Sequence, residues 1–555
     1  MSKDRLIYLP LGGAGEIGMN CYVYGYGPQG RERFILVDLG LTFPDMDTTP
    51  GVDLILPDIE WIEKRRDRLD GIFITHAHED HVGAVGHLWG HLKAPVYARS
   101  FTAHMARLKF EEQGHDELMI KTAAVWPGTV QAGPFTVGFA PISHSIPESS
   151  ALVIDTPAGR IVHTGDFKLD ANPGVGEAWD PALFAEIARP GVKALVCDST
   201  NVFSPLPGRS ESSLPEPIEA LIAGAPGMVA ATTFASNIAR VRTLAVAGKK
   251  AGRSVVLLGR AMRRMITAGV ETGILQDFPA TVSPEDALSI PRESLMLIVT
   301  GSQGERRAAS AQLSRGKYLG LTLKEGDMFL FSSKTIPGNE RSVGRIVNAF
   351  SEMGVDVVDD SSGLYHVSGH ANRPDLAEMH RIVAPQFLIP MHGEHRHLRE
   401  HVKLGAETGL TGVLAPNGTM VDLSGNTPKV VEHVETGRTY LDGAILIGAM
   451  DGVVRDRIRM ALNGHVLVTL IVENNEPLGE AWCEIMGLPE TGRSRAPLVE
   501  VLEADVTQFL MRAGRKTLAD DDKLGDEIRR IVRATAMDEI GKKPEVTVVV
   551  SRLQG

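Results

Sequence analysis

At 555 residues, 43% of them hydrophobic and 23% charged, the chain is too long for one ordinary domain and suits two to four, each with a real core. A formal net charge of −12 argues against a general nucleic-acid coating protein, since sequence-independent affinity comes from Lys and Arg neutralising phosphates. Bound metal ions fall outside that sum, so a local cationic site remains open.

No run approaches the roughly 18 uninterrupted apolar residues of a membrane span, so no membrane partner is expected. The start, "MSKDRLIYLPLGG", lacks the basic and long apolar regions of a secretory signal. Cys21, Cys197 and Cys483 form no CxxC pair and no disulfide framework, which agrees with a reducing compartment. The expected location is the cytoplasm, and any metal must be held by His and Asp.

Short apolar runs follow one another through the first two hundred residues: "RFILVDLG", "GIFITHAH", "SALVIDT", "RIVHTGDF" and "KALVCDST". Each ends in Asp, His, Gly or Ser, as strands do when they deliver polar residues from their carboxyl ends. Helical patterns around 62–68 and 103–113 make the class α/β. The glycine-rich "GGAGEIG" mimics a dinucleotide fingerprint, but no βαβ context or distal ribose acid accompanies it, so it reads as a strand turn packing near the histidine-rich loop His76 to His81.

Pro and Ser crowd 203–217, a domain junction. From about Glu219 to Met353 helices alternate with buried strands, "SVVLLG", "LMLIVTGS" and "DMFLFSS", as in a parallel sheet with crossovers. A histidine-bearing stretch, His366 to His397, leads back to the first domain. From about Leu462 strands flank a charged helical segment. The expected divisions are 1–210 for the first domain, 211–355 for an inserted domain, 356–435 for the return, 436–460 for a linker and 461–555 for a small C-terminal domain.

The densest chemistry is "HAHEDH", His76 to His81, directly after the strand "GIFIT". Hydrolytic zinc sites take imidazole and carboxylate ligands and keep a position for water. His76 and His78, two residues apart at a strand end, can face one ion, while Asp80 and His81 bend round to a second. A solvated histidine-rich turn is the competing reading of such a loop.

HxHxDH in this context resembles the metallo-β-lactamase superfamily, and its remaining marks follow in order. "PISHSIPES" offers His144, "VHTGDFKLD" offers Asp166 and "PMHGEHRH" offers His392. By the resemblance, His76, His78 and His144 hold one zinc, Asp80, His81 and His392 hold the other, and Asp166 bridges them. The resemblance also implies that Mn2+ or Mg2+ could stand in for zinc in vitro. Two such ions, two ligating carboxylates, five imidazoles and a bridging hydroxide leave about one net positive charge, suited to in-line attack by activated water on a phosphodiester.

Fold and metal do not name a substrate. Three further segments do: "LVCDSTN" with Asp198, "YHVSGHANRP" with His366 to His370, and the His392 loop. Their order around a long insertion resembles the β-CASP nucleases. His370 is suited to protonate the leaving oxygen, with Asp198 orienting its ring and Asp80 completing the catalytic set. Ser368, Gly369 and neighbouring amides can cradle a phosphate; a plain glycine turn is the alternative for "HVSGHA" taken alone.

Within that group, "LGGAGEIGMNCYVY", "VTGSQGE", "SSKTIPGNE", "HVSGHA" and "IPMHGE", with a C-terminal domain, resemble the bacterial ribonuclease J enzymes over nearly the whole chain. The resemblance implies a metallo-β-lactamase αββα sandwich with an inserted β-CASP α/β domain and a small C-terminal α/β domain. It implies a ribonuclease acting internally and processively 5′ to 3′ in RNA maturation and decay. The partner would be single-stranded RNA with a 5′-monophosphate, held by His366, Val367, Ser368, Gly369 and His370.

Thr300–Glu305 and Ser332–Gly338 would line the RNA path, with Lys334 and Arg341 as backbone contacts. Asp45 and Asp47 of "FPDMDTTPG" with Asp442 of "YLDG" are a candidate calcium site, against the reading of a solvated acidic turn. A homodimer or homotetramer supported by the C-terminal domain, within an RNA-degrading assembly, is a further expectation. The alternatives are a DNA-processing β-CASP nuclease, a small-ester or thioester hydrolase, and a catalytically silent assembly subunit.

Overall fold

The computed structural model describes residues 4–553. The described residues divide into two compact units, one of residues 4–42 and 56–438, the other of residues 43–55 and 439–553.

In the first unit, an eight-stranded sheet centred on Asp4–Gly12, Cys21–Pro28, Arg33–Val37 and Leu69–Phe73 faces a seven-stranded sheet. Alternate residues of both line one core: Tyr8, Tyr22, Tyr24, Ile35, Val37 and Phe73 meet Phe135, Phe139, Ile154, Ile161, Val196 and Ile389. The period of two explains the strand Val192–Asp198, whose Val196 joins this core while Cys197 joins the core under the outer helices. The result is the αββα sandwich expected. The return segment feeds both sheets, Phe387–Met391 pairing with Val192–Asp198 and Thr419–Asp422 with Asp4–Gly12.

Strands Gly159–His163, Val192–Asp198 and Phe387–Met391 run parallel, so their carboxyl ends deliver Asp166, Asp198 and His392 to one edge. Arg33–Val37 and Leu69–Phe73 are parallel in the facing sheet and deliver Asp38 and the His76 loop. Ligands gather outside such carboxyl ends in open α/β sheets.

The insertion is a five-stranded, wholly parallel sheet with Val229–Thr232 in its centre and Asp356–Val358 at one edge. Its strands read as continuous apolar runs because separate apolar clusters cover each face. "TGSQGE" and "SSKTIPG" both leave its carboxyl edge. Gln303 ties them together, donating to Lys334 O at 3.0 Å and accepting from Ile336 N at 2.8 Å.

In the second unit, His465–Glu473 pairs in parallel with Glu545–Leu553 and antiparallel with Trp482–Met486. Val466, Val468, Leu470 and Val472 bury against helices Leu498–Arg512 and Asp521–Ile540. The stretch read as a linker, 436–460, is structured. Arg438–Asp442 and Ile445–Gly448 form a hairpin and Val453–Asn463 a helix. "DG" at 442–443, with Gly443 at φ 62°, is a turn signal that the alternation of "TYLDGAILIG" already carried. Residues 43–55 belong to this unit, far from it in sequence. No helix among the described residues is long and apolar enough to cross a membrane.

Candidate active site

Two ligand sets share one carboxylate. His76, His78, His144 and Asp166 bring one ligand atom each to within 4.8 Å of one another, and so do Asp80, His81, Asp166 and His392. His76 Nε2 and His144 Nε2 each lie 3.1 Å from His78 Nδ1. Asp166 Oδ2 is 3.2 Å from His81 Nε2 and 3.9 Å from both His76 and His144. All seven residues read from the motifs therefore meet at one place.

Outer partners fix which nitrogen faces inward. His81 Nδ1 donates to Asp38 Oδ2 at 2.7 Å, and His144 Nδ1 donates to Gly369 O at 2.5 Å, leaving Nε2 of each for the centre. Ser236 Oγ, 3.0 Å from His78 Nε2, leaves that ring's Nδ1 inward. A side chain at Gly369 would meet Ser145 Oγ at 2.6 Å, so glycine is required for the carbonyl to approach His144. Gly40 plays the same part under the loop, where a Cβ would sit 1.6 Å from Asp80 O. Asp38 (φ 60°) and His392 (φ 48°) hold left-handed backbone conformations that cost energy and cluster at functional sites. The "GGAGEIG" turn packs where expected: Gly13 O accepts from His392 N at 2.7 Å, and Asn20 N donates to Asp80 O at 2.9 Å.

The donor set fits divalent metal. Burial holds His76 and His144 well below the ordinary histidine range and lowers His78 to about 4, so these imidazoles are neutral. Against burial, the histidines around them keep Asp80 and Asp166 ionised. Burial opposes a charged His392, but Asp166, Asp198 and Asp80 outweigh it and push it up to about 10. The same carboxylates draw positive charge to this place, raising His81 as well as His392 despite burial, and a divalent cation would answer that negative charge in the histidines' stead. Asp166 Oδ1 is buried without a hydrogen-bond partner among the described residues, an orphan that a cation would satisfy.

Beside this centre stands a dyad. His370 Nδ1 donates to Asp198 Oδ2 at 2.8 Å, and the His370 ring lies 5.1 Å from that of His144 and 5.5 Å from that of His392. Asp198 is 1% exposed, whereas the side chains of His370 and Asp80 keep 22% and 29% of their surface open, which leaves both within reach of a substrate. Burial disfavours charge on His370, but Asp198 and then Asp166 raise its pKa. Ser368 Oγ accepts from Asn201 Nδ2 at 2.8 Å and from His370 N at 3.1 Å, so the 366–370 loop is anchored to the Asp198 loop. Val367 is 5% exposed in the core of the inserted sheet, which makes its side chain a packing residue. Lys334 and Arg341 are exposed.

Sequence reading missed Asp38, Asn20, Thr200 and Arg240. Asp38 had a signal, an acid closing the strand "RFILVD", and Asn20 and Thr200 stood inside the quoted segments "LGGAGEIGMNCYVY" and "LVCDSTN"; Arg240 had none. The reading also joined residues the structure keeps apart. Asp442 Oδ2 accepts from Arg457 at 2.6 Å, and Asp45 accepts from the amides of Asp47 and Thr48, so Asp45, Asp47 and Asp442 form no common ligand set.

Cys197, His380 and His401 also cluster, fully buried. Here a hydrogen-bond chain satisfies the imidazoles: Ser199 Oγ to His401 Nδ1 at 2.9 Å, His401 Nε2 to His380 Nε2 at 3.0 Å, and His380 Nδ1 to Thr408 Oγ1 at 3.1 Å. Burial lowers His380 to about 4. The unfolded chain takes up that proton first, so the contribution of His380 is fully present above about pH 6.5 and is lost as pH falls toward 4, up to about 3 kcal/mol. Denaturant titrations of wild type and His380→Gln across that window should diverge in slope with pH; parallel curves would contradict the assignment.

Known families match along the chain in the order the geometry suggests. The metallo-beta-lactamase superfamily covers 14–199, the ribonuclease J beta-CASP domain 226–350, a Zn-dependent metallo-hydrolase RNA specificity domain 363–416 and the ribonuclease J C-terminal domain 452–553. A ribonuclease J of Sinorhizobium meliloti is 40% identical over 100% of this chain and 98% of its own. The chain belongs to the ribonuclease J family. Family members from Mycolicibacterium smegmatis and Mycobacterium tuberculosis are 34% and 33% identical, over 97% and 99% of this chain and 96% and 98% of theirs. A crystal structure of an Enterococcus faecalis protein of unknown function, 17% identical with TM-score 0.50, covers 75% of this chain and 100% of its own and shares the fold. As a ribonuclease J, the enzyme is a metal-dependent hydrolase of RNA.

Proposed function

We propose that this enzyme cleaves single-stranded RNA both internally and processively from a 5′-monophosphate end, using two zinc ions. His76, His78, His144 and Asp166 would hold one ion and Asp80, His81, Asp166 and His392 the other. Bound divalent ions supply an activated water and offset charge on the phosphodiester oxygens. His370 protonates the leaving oxygen, and Asp198 holds its ring in register. The 366–370 loop takes the terminal phosphate, with Ser368 and the backbone around Gly369 as its donors.

The observation that carries this reading is the Asp198–His370 pair, 2.8 Å apart at the rim of the centre, which an ester hydrolase of the same fold has no use for. Cytoplasmic action on many RNAs, in a homo-oligomer supported by the C-terminal domain, completes the proposal. The test digests one sequence as RNA carrying a 5′-monophosphate, triphosphate or hydroxyl, and as 5′-phosphorylated DNA, with products mapped from both ends. Monophosphate RNA should be degraded fastest and from its 5′ end. DNA cut as fast as RNA would sink the substrate assignment.

A further inference from the structure

Among the described residues Arg240 is the largest fully buried side chain, and it sits outside every motif that named the enzyme. It lies on the helix Ile238–Lys250 of the inserted domain, and Glu211 grips it from two sides. Arg240 Nη2 donates to both Glu211 oxygens at 2.9 Å and Nε to Oε2 at 3.1 Å. Burying such a pair is costly, so its position calls for a reason beyond packing.

The remaining nitrogen supplies one. Arg240 Nη1, with two hydrogens to share, lies 3.0 Å from Ser332 O and Oγ, 3.4 Å from Tyr365 O and 3.3 Å from His366 Nδ1. One guanidinium nitrogen thus touches the carboxyl edge of the parallel sheet and the start of the 366–370 loop. A guanidinium only donates. Where Nη1 directs a hydrogen at His366 Nδ1 that atom accepts, which places the ring proton on Nε2; Ser332 O, the backbone group that also faces the ring, already takes a hydrogen of the same Nη1 at 3.0 Å. Ser332 cannot disturb this arrangement, because its hydroxyl hydrogen is directed to Tyr365 O at 2.6 Å.

We propose that Arg240, held by Glu211, is a positioning residue that locks His366 in the neutral Nε2–H tautomer and presents that N–H as a fixed donor to a phosphate oxygen. This rests on the reading of the 366–370 loop as the substrate-phosphate site. Burial and the nearby charges of Arg240 and Lys334 lower His366 to about 3, so the ring stays neutral when it donates. Among the described residues nothing hydrogen-bonds His366 Nε2, so its proton is available to a ligand. A neutral, pre-aimed donor suits a phosphate oxygen, since it has no charge of its own to desolvate when the ligand binds.

The decisive measurement is two-bond 1H–15N correlation on the full-length protein labelled with 15N-histidine, with His366 assigned by comparison with His366→Gln. Protonated Nε2 and bare Nδ1 in the wild type are expected; the opposite tautomer overturns the proposal. For Arg240→Lys, which keeps the charge against Glu211 but loses the fork, the ratio of kcat/KM for 5′-monophosphate over 5′-hydroxyl RNA should fall roughly tenfold. A purely structural role would lower both rates and leave the ratio alone, and an unchanged ratio in a folded variant overturns the proposal too. If Arg240→Lys does not fold, the wild-type tautomer still decides. Failure of the underlying reading is separable: His366→Ala that kept the full 5′-monophosphate preference would remove the phosphate site and leave the tautomer result standing.

Discussion

Asp166→Ala should release bound metal and lower RNA cleavage by roughly 10³-fold or more, the rate equivalent of several kcal/mol of lost charge stabilisation. No other single change touches so much of the centre. One carboxylate oxygen of Asp166 lies within 4.0 Å of His76, His81, His144 and His370, and the other lies 3.4 Å from His392. The fold should survive, because Asp166 belongs to none of the apolar clusters that join the sheets. Two milder variants grade the effect. His81→Ala removes a ligand from one set and should also abolish cleavage in a folded protein. Asp38→Asn leaves both sets intact but deprives His81 of its anionic partner, and metal affinity should fall about 10- to 100-fold. Metal content and turnover measured on the same purified samples provide the check. An Asp166→Ala protein with full metal stoichiometry and near-normal turnover would falsify the shared-carboxylate arrangement.

What the sequence disclosed about this centre follows distance along the chain. "HAHEDH" declares itself because four ligands stand within six residues after one strand, so local geometry alone brings them together. Asp166, Asp198 and His392 are legible only as ends of apolar runs, and their meeting depends on three parallel strands sharing an edge. The supports are hidden. Asp38 reaches His81 across 43 residues, Arg240 reaches His366 across 126, and Gly369 reaches His144 across 225. Tertiary contacts of that span leave no spacing to read. The same limit produced the errors. Asp45, Asp47 and Asp442 looked alike as acids, and only the fold reveals that Arg457 already occupies Asp442. The stretch 436–460 looked like a linker because its partner strand and helix contacts come from residues 43–55, more than 380 positions earlier, as the Asp53–Gly443 hydrogen bond illustrates.

His370→Ala should cost roughly 10²- to 10⁴-fold in turnover, the range for loss of a positioned general acid, with metal content unchanged. The second half of that statement separates two roles. His370, Asp198, Asp166 and His392 are close enough to form a third ligand group, so proximity alone does not tell a proton donor from a metal ligand. The hydrogen-bond pattern favours the donor. Asp198 occupies His370 Nδ1, and Thr200 N and Oγ1 both donate to the other oxygen of Asp198, at 2.8 and 2.7 Å, so the carboxylate is engaged by the protein on both sides. Asp198→Asn keeps this shape but weakens the hold on the ring, and its loss should be smaller than that of His370→Ala. An RNA in which sulfur replaces the leaving oxygen tests the chemistry directly, since a thiolate departs without a proton. His370→Ala should recover much of its deficit on that substrate, whereas Asp166→Ala should not. If His370→Ala loses metal, or gains nothing from the sulfur leaving group, the histidine is a ligand or a scaffold and the proton must come from elsewhere.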